Sequence, residues 1–186
     1  MNSFLPLTAA ILLNLGTHSV QAAELNGVKF EDTLSSDQKQ LQLNGLGLRK
    51  KAIFKVYVAG LYLESKSSDA KSILESNQEA NITLKFLRDV DSKTISEAFA
   101  TGFEKNCPNK CATFKEEVTK LGSLLTNMKV GDSISFKIKP ETLVFVASDS
   151  KSHEVNKSGF AKEFLKLFLG DHPPQDSLKQ GLLGKS

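Results

Sequence analysis

The stretch Leu43-Asn44-Gly45-Leu46-Gly47-Leu48-Arg49-Lys50-Lys51, running into Ala52-Ile53-Phe54-Lys55-Val56-Tyr57-Val58-Ala59-Gly60-Leu61-Tyr62-Leu63, decides how this chain is read. Residues 41–43 alternate apolar and polar and begin a strand. The two glycines are expected to end it, because glycine lets the backbone turn or bulge where a side chain would clash. Residues 52–63 are rich in β-branched and aromatic side chains and give the strongest strand signal in the chain. Arg49 leaves the glycine segment just before that strand, which places it at the mouth of a sheet. A guanidinium there offers a planar fork of donors to a carboxylate. The plainer alternative is a solvated arginine beside Lys50 and Lys51.

Upstream, residues 5–15 form an apolar run too short to span a bilayer. Val20-Gln21-Ala22 supplies small residues at cleavage spacing, although the first residues carry no lysine or arginine. Residues 1–22 are therefore expected to be an export signal, and residues 23–186 one domain in a periplasmic or secreted protein. The signal holds no charged residue, so the formal net charge of +3 belongs to the remainder. That balance is mild, and no basic block is interleaved with aromatics, which argues against nucleic acid as a partner. After residue 63 no apolar run is long enough for a transmembrane helix.

Downstream, residues 27–30 predict a short strand and 36–39 a polar turn. Ser67-Ser68-Asp69 can cap a helix running to Ser76. Residues 80–87 alternate Ile82, Leu84 and Phe86 against Thr83, Lys85 and Leu87, a half-buried strand. Ile95, Phe99 and Phe103 recur at helical spacing behind Asp91 or Ser92. Phe114, Val118, Leu121, Leu124, Leu125 and Met128 make a second stripe of the same kind. Residues 133–139 and 143–147 read as a hairpin, the second of them a continuous apolar run suited to a central strand. A charged loop over 148–156 leads to a helix carrying Phe160, Phe164, Leu165, Phe168 and Leu169, ended by Gly170 and Pro173-Pro174. A last helix starts near Gln175. Helices grouped between strand runs predict an α+β domain, an antiparallel sheet with helices packed on one face.

Chemistry-bearing motifs are few. His18 leaves with the signal, and His153 and His172 fall in expected loops, so no histidine-based catalytic or metal site is indicated. Gly45-Leu46-Gly47 lacks the third glycine and the helix start of a dinucleotide fingerprint, and no cofactor is expected. Cys107 and Cys111 are the only cysteines. In an oxidising compartment a structural bridge is the favoured reading, pinning a break between two helices at Pro108-Asn109. A redox pair would more often have two intervening residues, and no histidine lies near enough to complete a zinc set. The twelve phenylalanines serve a core, an apolar cleft or both.

The order Gly-x-Gly-x-Arg, a short polar link, the Phe54-Lys55-Val56-Tyr57 strand ending in Gly60-Leu61-Tyr62-Leu63, and the late Leu167-Phe168-Leu169-Gly170 with Leu182-Leu183-Gly184 resemble the chalcone isomerase-like family. The resemblance covers residues 24–184 and is closest to exported bacterial members. It implies an open-faced β-sandwich, a large antiparallel sheet covered by a layer of helices, with a cleft between them. In the plant enzymes of the family an arginine holds the reacting phenolate, a strand threonine and a helix tyrosine organise water, and an asparagine lies nearby. In the fatty-acid-binding branch the same arginine grips a carboxylate together with a strand tyrosine. Here the arginine is Arg49, the threonine position falls on Tyr57, the asparagine matches Asn106 and the helix tyrosine falls on Phe99. The enzyme's water-organising pair is missing and the arginine–tyrosine pair is kept.

The resemblance thus implies a binder of a small amphipathic acid, fatty or aromatic, with Arg49 and Tyr57 at the polar end. The competing reading is an isomerase or intramolecular lyase in which Arg49 stabilises an oxyanion and Tyr57 relays a proton. Asn106 could equally be a helix C-terminal cap. Tyr57 could equally be a packed strand aromatic, and Tyr62 is expected in the core. For the cysteines, thiol titration of the exported protein is expected to find no reactive thiol until a reductant is added. Two thiols titrating without reductant would refute the bridge.

Overall fold

The computed structural model describes residues 22–107, 111–146 and 151–185, and of the proposed signal only Ala22 falls among them. The chain opens with a small hairpin, β1 (Ala22–Leu25) and β2 (Val28–Glu31), turned through Asn26 and Gly27. Seven strands then form one antiparallel sheet: β3 (Thr33–Ser36), β4 (Lys39–Lys51), β5 (Phe54–Leu63), β6 (Ala80–Phe86), β7 (Ser133–Ile138), β8 (Thr142–Val146) and β9 (Ser152–Asn156). Their spatial order follows the chain, so every strand pairs with its sequence neighbour. The helices fill the connections: α1 (Ala70–Glu75) between β5 and β6, then α2 (Ser92–Asn106), a 3-10 turn at Cys111–Phe114 and α3 (Lys115–Leu124) between β6 and β7. After β9 come α4 (Phe160–Leu169) and α5 (Asp176–Leu182). The result is the expected α+β architecture, an antiparallel sheet with helices layered on one face.

The two faces of the sheet are set by period-2 alternation. On β5, Ala59, Leu61 and Leu63 face the helices, while Val58 and Tyr62 face the β1–β2 hairpin. The helix-side core is dominated by α4, in which Phe160, Phe164 and Phe168 are almost entirely enclosed. Each side chain of that size stabilises the fold by about 1.5–3 kcal/mol through burial. Phe164 meets Phe136 of β7 at 4.7 Å between ring centroids. On the opposite face Phe30, Leu41, Leu43, Val58 and Tyr62 form a smaller core, where the Tyr62 hydroxyl donates to the Glu31 carbonyl at 3.0 Å.

Several sequence expectations need correction. The glycines do not end the strand. β4 runs straight through Gly45 and Gly47, and the chain reverses only at Ala52–Ile53, where Ala52 takes φ +52. Asn44 is instead the extra residue of a β-bulge: Leu43 pairs with Tyr62 and Gly45 with Leu61. The bulge moves the alternation by one position, so that Leu41 and Leu43 before it, and Leu46 and Leu48 after it, all reach the smaller core. The charged loop expected over 148–156 is, from Ser152, the edge strand β9. Its signal is weak because only Val155 is buried. Residues 142–146 lie one place in from that edge and alternate buried with half-buried side chains. Met128 falls past the end of α3, bridged to Val90.

Gly45 and Gly47 have no positive φ; what they supply is room. A Cβ on Gly45 would lie 2.2 Å from the Gly181 carbonyl oxygen, and one on Gly47 would lie 2.4 Å from that of Leu178. Helix α5 therefore rests its backbone directly on β4. The Asn44 side chain secures the contact, donating to the Leu182 and Ser67 carbonyls at 2.8 and 3.0 Å and accepting from the Ser67 N–H at 2.8 Å. Gly47→Ala is expected to lower the unfolding free energy by about 2–3 kcal/mol through overpacking. Chemical denaturation checks this, and a loss below about 0.5 kcal/mol, the range of ordinary surface substitutions, would mean that α5 is not seated as described.

Candidate functional site

The bulge at Asn44 has a second consequence. Past it, the odd-numbered residues of β4 lie on the helix face, and Arg49 comes to lie there directly across from Tyr57 of β5. Without the extra residue Arg49 would point with Leu41 and Leu43 into the opposite core. Both side chains line a cleft of about 440 Å³ between the sheet and the helix layer. That is within the roughly 300–1,000 Å³ of ligand-sized pockets. Its floor is Val56, Tyr57, Leu84 and Phe86 from β5 and β6. Its roof is α2, through Ile95, Ala98, Phe99 and Gly102, with Leu167 and Phe168 of α4 behind. Lys51, Lys105 and the loop residues His172, Pro173 and Pro174 border it as well.

Arg49 is half-buried. Its Nη1 donates to the carbonyl of Lys50 and, at 3.5 Å, to Oε1 of Gln175. The same Gln175 oxygen accepts from the Lys50 backbone N–H at 2.9 Å, so the start of α5 is bound to the end of β4. No carboxylate pairs with Arg49 among the described residues, and its Nε and Nη2 donors make no hydrogen bond among them. A cation that is partly withdrawn from water and lacks a counter-ion favours an incoming anion. Glu97 is the one acid in the lining, against Arg49, Lys51 and Lys105.

Tyr57 packs edge-on against Phe86, with ring centroids 5.8 Å apart. Its hydroxyl makes no hydrogen bond among the described residues and so has its donor to offer. The protein packed around the hydroxyl pushes its pKa well above the ordinary tyrosine value, and the nearby Arg49 charge opposes that only in part. Tyr57 is thus a neutral donor at physiological pH. Phe99 stands where the resemblance put a helix tyrosine. It lines the cleft and meets Phe136 and Phe164 edge-on at 5.6 and 5.9 Å. A phenyl ring there can pack against a ligand and cannot hydrogen-bond to one.

Asn106, at the last turn of α2, is outside the cleft lining. Its side-chain amide donates to the Gly102 and His172 carbonyls at 2.9 and 2.8 Å, and its oxygen accepts from the His172 N–H at 3.0 Å. It fastens the loop after α4 to α2, and that loop carries the cleft residues His172 to Pro174. Cys107, next to it, is buried in the main core. Residues 108–110 and the Cys111 side chain lie outside the described residues, and so does the expected bridge. Gln175, Lys51 and Lys105 were not singled out in the sequence as site residues, and His172 was set aside there as a loop histidine. Each reaches the mouth by tertiary contact, and Gln175 alone had a local signal, as the start of a helix after Pro173-Pro174.

The cleft between the antiparallel sheet and the helix layer combines a largely apolar floor and roof with three cations, Arg49, Lys51 and Lys105, a chemistry that can take an amphipathic anion. The chalcone isomerase-like family model matches residues 22–184, and the chain belongs to that family. The fold is shared with the crystal structure of a fatty-acid binding protein from Arabidopsis thaliana, with a TM-score of 0.70 over 88% of this chain and 96% of that one at 15% sequence identity. No curated protein sequence matches the chain.

The protein has two tyrosines and no tryptophan, so phenolate absorbance reports Tyr57 and Tyr62 alone. Tyr62 is pushed up to about 12, chiefly by burial and further by the Glu31 and Asp32 charges. Both groups hold their protons to higher pH in the folded than in the unfolded chain. The stability they contribute is intact below pH ~10 and is lost as pH rises above it. Spectrophotometric titration of the native protein is expected to show little phenolate at pH ~10.5, where an unfolded tyrosine is mostly ionised. Ordinary titration of Tyr57, isolated by comparison with Tyr57→Phe, would mean that its hydroxyl is freely hydrated.

Proposed function

We propose that this protein is an exported binder of a small amphipathic acid, with a fatty acid as the first candidate and an aromatic acid as the second. The observation that carries the reading is the unpaired edge of the Arg49 guanidinium, set across from an unpartnered Tyr57 hydroxyl at the mouth of an apolar cleft. A carboxylate fits that pair, accepting charge-assisted bonds from Arg49 and one bond from Tyr57. The tail would lie along Leu84, Phe86, Phe99 and Phe168. The shared fold with a plant fatty-acid binding protein supports the reading, and the family's isomerase chemistry is disfavoured by Phe99. A phenyl ring has no proton to relay and no oxygen to organise water at the position where cyclisation would use one.

The reading also predicts the rank of the contributions. A hydrogen-bonded charge is worth about 1.5–3 kcal/mol and a neutral hydrogen bond about 1 kcal/mol. Arg49→Ala is therefore expected to weaken binding of a long-chain acid by about 10- to 100-fold and Tyr57→Phe by about five-fold. The methyl ester of the same acid should bind the unaltered protein about as weakly as the acid binds Arg49→Ala. Solvent extraction of the purified protein is expected to release the native ligand for mass analysis, and titration calorimetry checks the ranking. Equal affinity of Arg49→Ala and the parent for the acid would refute the site.

A further inference from the structure

The described residues expose three large apolar side chains: Ile53 at 87%, Phe54 at 54% and Val130 at 67%. All three lie at one end of the sheet. Ile53 lies in the β4–β5 reversal and Phe54 opens β5 beside it. Val130 sits in the turn before β7, which is held beside the end of β6 by the Gly131 N–H donating to the Phe86 carbonyl and the Phe86 N–H donating to that of Asp132, both at 2.9 Å. This is also the end that carries the cleft mouth, because Arg49, Lys51 and Tyr57 are the cleft residues nearest the reversal.

The same end is basic. Lys50, Lys51, Lys55 and Arg88 surround the tip, and none has a carboxylate partner among the described residues. The Arg88 guanidinium lies 4.7 Å from the centroid of the Phe54 ring, which holds a charge against the exposed aromatic. Two acids of the neighbouring turn are already engaged. Asp89 pairs with Lys129 at 2.7 Å and accepts from the Val130 N–H, and Asp132 accepts from the Lys129 N–H. Protruding apolar side chains ringed by free cations match the interface of an anionic bilayer, with hydrocarbon beneath and phosphate above. A narrow convex turn is a poor fit to a protein partner, which needs about 800 Å² on each side.

We infer that this end is a docking tip for an anionic lipid surface: Ile53, Phe54 and Val130 enter the interface while Lys50, Lys55 and Arg88 meet its phosphates. Docked in this way, the protein holds the cleft mouth against the membrane, where amphipathic acids partition. The docking itself does not depend on what the cleft binds, and its test uses no added acid.

The test is co-sedimentation of the protein, in the form in which it accumulates in cells, with two kinds of vesicle. One is phosphatidylglycerol mixed with phosphatidylethanolamine, and the other is phosphatidylcholine alone. Binding is expected to the anionic vesicles only and to weaken as salt is raised. Replacing both Ile53→Ser and Phe54→Ser should weaken it at least about ten-fold. Replacing both Lys50→Gln and Lys55→Gln should weaken it about 25-fold, at about five-fold for each basic residue near an anionic surface. These side chains are on the surface, so both variants should keep the parent's unfolding midpoint. Three results would overturn the inference: no anionic binding at low salt, equal binding to both vesicles, or variants that bind like the parent. A concentration-dependent dimer abolished by the Ile53→Ser and Phe54→Ser pair would overturn it too, by assigning the tip to a second copy of the chain.

Discussion

The seating of α5 on β4 is the contact on which the rest of the molecule depends. It brings the backbone of the C-terminal helix directly against that of the first long strand, because Gly45, Gly47 and Gly181 carry no Cβ where the two meet. A contact that close has no slack, and it fixes the helix along the strand. That in turn places Gln175 beside Arg49 and stations the loop of His172 to Pro174 at the cleft. The amide of Asn106 fixes the same loop from the other side. The mouth is therefore built from segments distant in sequence, held by two polar clamps, Asn44 and Asn106, at opposite ends of the helix pair.

The bulge at Asn44 makes this possible without loss to the smaller core. A strand that kept a strict two-residue period would have to choose between burying its leucines on the hairpin side and presenting Arg49 to the helices. One extra residue resolves the conflict. Leu41, Leu43, Leu46 and Leu48 all remain on the hairpin side, and Gly45, Gly47 and Arg49 all turn to the helices. Glycine on the helix side of β4 is thus the complement of leucine on the other.

Much of this was legible in the sequence, for identifiable reasons. The helix of Phe160, Phe164 and Phe168 and the strand of Ile82, Leu84 and Phe86 declare themselves because burial imposes one period per element. Arg49 and Tyr57 were paired only through the resemblance to the family, and the register that sets them opposite each other belongs to the folded hairpin. The two glycines were visible but misread: glycine in a strand signals a turn, a bulge or a close approach, and the helix that approaches lies more than a hundred residues downstream. Strand β9 was hidden because an edge strand with one buried side chain has almost no apolar period. Gln175 and Asn106 escaped as clamps because the groups they hold, the end of β4 and the loop at His172, are remote in sequence and leave no mark in local pattern. The division of the phenylalanines had the same cause. Phe86 and Phe168 are packed in the core and border the cleft as well, Phe99 borders it, Phe54 stands in solvent, and only the tertiary arrangement assigns these roles.

The arrangement around Arg49 also explains how an open cationic mouth is tolerated. A half-buried guanidinium with no acceptors would weigh against folding. Here the Lys50 carbonyl and the Gln175 side chain accept from one nitrogen of the fork and leave the other edge available. Both acceptors are neutral, so they offset the desolvation of the cation in part and leave its charge uncompensated. A carboxylate would complete that compensation at the free edge without displacing the bonds that hold α5 to β4. On the proposed reading, binding then adds an anion to a mouth that is already shaped, so little of the interaction energy is spent on ordering. A carboxylic acid from the cleft's own chain could not do the same, since a permanent partner would close the edge the ligand needs. On that reading, the lack of a paired carboxylate at Arg49 among the described residues is what sets the mouth apart from a structural ion pair.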